Sequence, residues 1–152
     1  TSIQESTYNV HFMTLNNIQA SVDNGRAVLR YYENGVLESG GAYDYANFQL
    51  DATGGSAESK STTSTSALLE INNGNATNES SSAYTYIYNA GDSTKYTFNT
   101  VQSAGIIGTG QFKMWFGSSV MQQASVVDGF NVAVDSGTFS GTISLYGIKE
   151  YS

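Results

Sequence analysis

The chain contains no cysteine and no proline, and only one histidine and one tryptophan in 152 residues. Without cysteine, neither a disulfide frame nor a thiolate metal site can form. Packing and hydrogen bonds must therefore hold the fold, whatever the redox compartment. Without proline, turns fall to Gly, Asn, Asp and Ser, which supply positive φ or side-chain turn bonds. Charge is also scarce, at 12% of residues, about half the usual share. The six cations (Arg26, Arg30, Lys60, Lys95, Lys113 and Lys149) are scattered among 13 Asp and Glu, for a net charge of −7. A nucleic-acid partner needs a basic face to displace phosphate counterions, and none is visible, so no nucleic acid is expected. No run of about 18 apolar residues occurs, so no membrane span is expected. The opening TSIQESTYNV lacks the basic and apolar regions of a signal peptide. It also lacks an initiator Met, so a processed N-terminus or further upstream residues are expected.

Gly (16) and Tyr (11) are abundant, as are Ser, Thr and Asn. With so little charge, this profile suits an all-β extracellular or virion-surface protein better than a cytosolic enzyme. The length fits one domain, residues 1–152, with a core of its own.

Period-two alternation dominates, and it marks half-buried strands. TYNVHFMT sets Tyr8, Val10 and Phe12 against Asn9, His11 and Met13. In GRAVLRYYENGVLESG, Asn34-Gly35 favours a type I′ hairpin, with Val28, Arg30 and Tyr32 on one face and Ala27, Leu29 and Tyr31 on the other. AYDYANFQLDA sets Tyr43, Tyr45 and Asn47 against Asp44, Ala46, Phe48 and Leu50. The polar stretch 53–66 reads as a loop or a solvated edge strand, ALLEIN (67–72) as a short strand, and NGNATNESSS as a loop. AYTYIYNAGDSTKYTFNTV is a hairpin with Tyr84, Tyr86 and Tyr88 on one face and Thr85 and Ile87 on the other. GQFKMWFGSS sets Phe112, Met114 and Phe116 against Gln111, Lys113 and Trp115, and SSVMQQA continues as strand. In the last two strands, Phe130, Val132 and Val134, then Ile143 and Leu145, are expected to point inward. Eight to ten such strands with turns every 8–12 residues predict an antiparallel, jelly-roll-like β-sandwich.

Few residues carry chemistry. His11 lies on the polar side of its strand and reads as a surface or interface histidine without a partner motif. A zinc site would need several His or Cys ligands. Asp44 with Asp51, or Glu33 with Glu38, are carboxylate pairs only by being acidic, since no apolar pocket frames them. DATGGSAES and NNGNATNES offer oxygen ligands for calcium, but loop composition alone explains them. Asn75 and Asn78 are N-x-[ST] positions in a polar loop. No catalytic residue, cofactor or metal is assigned, and no enzyme activity is expected. The tyrosines are the stronger signal. Tyr is apolar in its ring and polar at its tip, so Tyr84, Tyr86 and Tyr88 fit a sheet surface, a subunit interface or a carbohydrate-stacking platform that includes Trp115.

YIYNAGDSTKYTFNT, the YYENGVL hairpin and VVDGFNVAVDSGTFSGTISLYGIKEYS together resemble tailed-bacteriophage virion surface proteins, especially marine ones, whose C-terminal β-rich domains often finish on G-T-I-x-L-Y-G-I-K. The resemblance covers about two-thirds of the chain and is most specific at the ending. It implies a tail fibre or receptor-binding component on the phage particle, structural and adhesive. The alternatives are a capsid decoration protein that stabilises the head, and a carbohydrate-binding module. It further implies other virion proteins as partners, a homotrimer by analogy, and a host surface glycan as a possible receptor. Loops on a rigid scaffold carry such functions. The receptor-facing residues are therefore expected in 53–66 and in the loop holding Asn73, Asn75 and Asn78.

Overall fold

The computed structural model describes residues 3–69 and 72–151. Eleven strands form there: β1 (Val10–Ala20), β2 (Ala27–Glu33), β3 (Val36–Leu37), β4 (Tyr43–Asp51), β5 (Ser56–Ser64), β6 (Ala67–Leu68), β7 (Ser81–Tyr88), β8 (Tyr96–Ile106), β9 (Phe112–Ala124), β10 (Gly129–Val134) and β11 (Phe139–Ile148). No helix among the described residues is long and apolar enough to cross a membrane. The strands make two antiparallel sheets, a β-sandwich-like all-β fold. The larger has seven strands in the order β11-β1-β7-β8-β9-β4-β5, and the smaller has four, β10-β2-β3 with β6 also on β2.

Local chemistry explains the corners. Asn34 and Gly35 take φ of 51° and 73°, the pair of positive angles that a type I′ turn needs, and β2 folds back on β3 there. The polar stretch 53–66 becomes β5, a solvated strand at one edge of the large sheet. Asp51 shapes its turn, its Oδ1 accepting from the Thr53 and Gly55 N–H groups at 3.0 and 2.8 Å. ALLEIN gives a strand only over Ala67–Leu68, and Glu70 and Ile71 lie outside the described residues. SSVMQQA lies within β9.

The core sits between the sheets. Met13, Leu15, Tyr43, Ile87, Val101 and Met121 of the large sheet pack with Leu29, Tyr31 and Phe130 of the small one. Phe130 is buried as expected, while Val132 is half-buried against the core. Two expectations are corrected. His11 is a core residue, 2% exposed, because Met13 and Leu15 share its parity and pull that face inward. Phe12 points out instead. Ile143 pairs with Leu15 in register but stays exposed, because β11 is an edge strand, of which Phe139 and Leu145 are packed against the core.

Candidate functional site: the outer face of the large sheet and the Asn75 end

Register places one layer of side chains on the outer face. One row runs Tyr146, Phe12, Tyr86, Thr100, Ser118, Ala46 and Lys60 from β11 to β5. The row beside it runs Ser144, Thr14, Tyr84, Gln102, Phe116, Phe48 and Glu58. On the other side, Ile148, Val10, Tyr88, Phe98, Val120 and Asp44 make a third row.

The rings touch. Phe12 lies 4.7 Å from Tyr86 and 6.1 Å from Tyr146, Tyr86 stacks on Tyr88 at 6.3 Å, and Phe48 meets Phe116 at 5.9 Å. Tyr84 donates its hydroxyl to Gln102 at 2.6 Å across the strand pair. The expected ladder of Tyr84, Tyr86 and Tyr88 is therefore real and outward. Tyr84, Tyr86, Phe98 and Phe116 are 37–44% exposed. In the middle row the side chains shrink to Thr100, Ser118 and Ala46. A trough of about 650 Å³ opens there beside Phe98 and runs to Lys60.

The layer beneath mixes polar residues into the apolar core. Thr85, Thr97, Asn99, Ser103 and Ser119 face inward and are buried. The Asn99 side-chain amide donates to the Thr85 hydroxyl at 3.3 Å, and Tyr31 donates its hydroxyl to the Asn99 Oδ1 at 3.4 Å. Trp115 is on this inner side, 4% exposed, packed with Val28, Leu68 and Ile107. It cannot serve as a sugar-stacking platform. The alternation of GQFKMWFGSS separates Trp115 from Phe112 and Phe116, but does not show which set is inside.

The acids do not assemble a reaction centre. Asp44 and Asp51 sit at opposite ends of β4. Asp44 accepts from the Gln122 amide, and hydrogen bonds from Thr53 hold Asp51 below the ordinary aspartate range. Burial raises Glu33, helped by the nearby charges of Glu38 and Asp128. Asp128 accepts the Gly35 N–H at 2.8 Å and Glu38 accepts from Gln123 at 3.1 Å. No group of three His, Cys, Asp or Glu among the described residues could hold a metal ion.

The predicted receptor loop divides. Asn73 is fully buried and bridges Gly25, whose carbonyl accepts its N–H at 3.0 Å while its own carbonyl accepts from Asn24 at 2.7 Å. It ties the loop to the sandwich and cannot face a receptor. Asn75 and Asn78 are exposed. Beside Asn75 lies a hollow of about 390 Å³ shared with Gln19, Ser21, Thr77, Thr138 and Ser140. Sequence reasoning missed Gln19 and Thr138: the β1–β11 pairing brings their segments together, and Gln19 reaches the Asn75 loop by donating its amide to the Ala76 carbonyl at 2.5 Å. Every side chain there is an uncharged amide, a hydroxyl or an apolar group.

Comparison with protein families, with curated proteins and with solved structures finds no match to this chain.

Proposed function

We propose that this chain is a virion surface protein of a tailed bacteriophage, a jelly-roll-like β-sandwich of the tail-fibre or receptor-binding type. Its role is structural and adhesive, and it catalyses no reaction. The sequence resemblance at the LYGIK ending supports the phage setting. The observation that carries the adhesive role is the uncharged hollow around Asn75, built from amides and hydroxyls on a rigid edge of the sandwich. Such groups bind neutral sugar hydroxyls by hydrogen bonding, which fits a host surface glycan, and specificity then comes from a few placed polar groups. Capsid decoration uses the same scaffold without a receptor.

Immunogold labelling of purified particles, together with a glycan array probed with the chain, tests this reading. Label at the tail tip and array binding lost in Asn75→Ala are expected. Label over the head shell favours decoration. Unlabelled particles contradict the phage reading altogether.

A further inference from the structure

We infer that the outer face of the seven-stranded sheet is covered by the same face of a second copy, related by a two-fold axis parallel to the strands and passing between β7 and β8. This rests on the fold alone, not on the phage reading, and departs from the homotrimer that the resemblance implies.

The first support is the aromatic load of the open side of the large sheet. Its covered side already holds the core residues Met13, Leu15, Ile87, Val101 and Met121, yet its open side, which ends in water, still holds Phe12, Tyr84, Tyr86, Phe98 and Phe116. A face that ends in water ordinarily carries the polar half of the alternation, and a contiguous apolar patch of this breadth marks an interaction surface. The second support is charge. The protein carries −7, yet the only charged outward positions in the three rows are Asp44, Glu58 and Lys60, all on β4 and β5. Glu58 and Lys60 pair with each other at 3.2 Å. A second copy of so acidic a chain can approach this face without meeting like charge over β11, β1, β7, β8 and β9.

The third support is size. The six strands that overlap under this operation, β11 to β4, span about 24 Å at ~4.8 Å spacing, and strands of 8–13 residues run about 30 Å. The footprint, about 700 Å², is of the order of the ~800 Å² that each partner contributes to a stable interface.

The shape selects the occupant. A two-fold axis along the strands between β7 and β8 reverses the strand order and leaves each row on itself. In the middle row it sets Tyr86 over the partner's Thr100, Phe12 over the partner's Ser118, and Tyr146 over the partner's Ala46. Each large ring meets a small residue, and Ser118 and Ala46 floor the trough. In the neighbouring row it sets Thr14 and Ser144 over the partner's Phe116 and Phe48. Large faces small again at these two positions, with the sides exchanged, while Tyr84 lies over the partner's Gln102 and, in the third row, Tyr88 over the partner's Phe98 as a ring-on-ring contact. Two twisted sheets packed this way lie about 10 Å apart with strands within about 30°. β5 has no counterpart under this operation and overhangs the rim, which leaves Lys60 and Glu58 in water.

Size-exclusion chromatography with multi-angle light scattering at micromolar concentration tests the inference. Twice the 16.2 kDa chain mass is expected. Ser118→Arg puts a charge beneath the partner's Phe12 and is expected to weaken association at least tenfold, with an unchanged far-ultraviolet circular dichroism spectrum. An uncharged size swap guards against misfolding: Tyr86→Thr and Thr100→Tyr each weaken the dimer, and the double variant restores it. A wild-type monomer overturns the inference, including one whose face binds a glycan instead. So do a trimer and a dimer indifferent to Ser118→Arg.

Discussion

The phenol of Tyr43 accepts the backbone N–H of Tyr31 at 2.9 Å and donates to the Glu38 carbonyl at 3.1 Å. Tyr43 belongs to the large sheet and Tyr31 to the small one, so one buried hydroxyl joins the two layers. Tyr43→Phe leaves the buried N–H without this acceptor, which costs about 1–3 kcal/mol. Urea denaturation is expected to show a lower midpoint with little change in slope.

The same two tyrosines set the alkaline limit. Burial raises Tyr31 far above its ordinary 10.0 and pushes Tyr43 up to about 12. The unfolded chain loses these protons above pH 10 while the folded chain retains them, so stability is lost as pH rises from 10 through the folded values. The slope is about 1.4 kcal/mol per pH unit for each tyrosine. Denaturation midpoints between pH 9 and 12 check this, and Tyr43→Phe is expected to flatten the decline.

His11 acts on the acid side. Burial among Phe130 and Tyr8, whose ring centroids lie 5.5 and 6.5 Å away, holds its pKa below 6.5, and Glu5 opposes the shift. Below pH 6.5 the unfolded chain binds a proton that the folded one resists, so stability falls with pH until the folded value is passed. Glu33, raised by burial, works oppositely as pH approaches 4.5. His11→Gln is therefore expected to make stability flat or rising between pH 6.5 and 5. A decline equal to that of the wild type contradicts the assignment.

Removing residues 142–152 takes away most of β11 and uncovers one edge of β1 along Val10–Asn16. Leu145 leaves the core with it. Loss of a cooperative thermal transition is expected, because the backbone groups of β1 on that side lose their partners.

Much of the sandwich was legible in the sequence. Alternation located the long strands, Asn34-Gly35 placed a hairpin, and the polarity of 53–66 left a loop or a solvated edge strand, of which the fold has the strand. What period two cannot supply is the sign of each face. TYNVHFMT alternates equally well with His11 inside or outside, and only Leu15, Ile18 and the bulge between Asn16 and Gln19 decide it. Trp115 was misplaced for the same reason. A large aromatic face also reads as core when its strand is considered alone, and the rows across six strand pairings exist only in the register. Asn73 looked like loop because its bridge to Gly25 joins residues far apart in sequence.

The chain has no cysteine, so one introduced thiol tests the two-fold face most directly. Thr100 lies next to the inferred axis, about one strand spacing (~5 Å) sideways from its own copy, whereas Ser118 lies about three spacings (~14 Å) away. Treating Thr100→Cys and Ser118→Cys separately with a short thiol–thiol cross-linker is predicted to give a covalent dimer efficiently at position 100 and poorly at 118. Equal cross-linking at the two positions, or none at 100, would contradict the account.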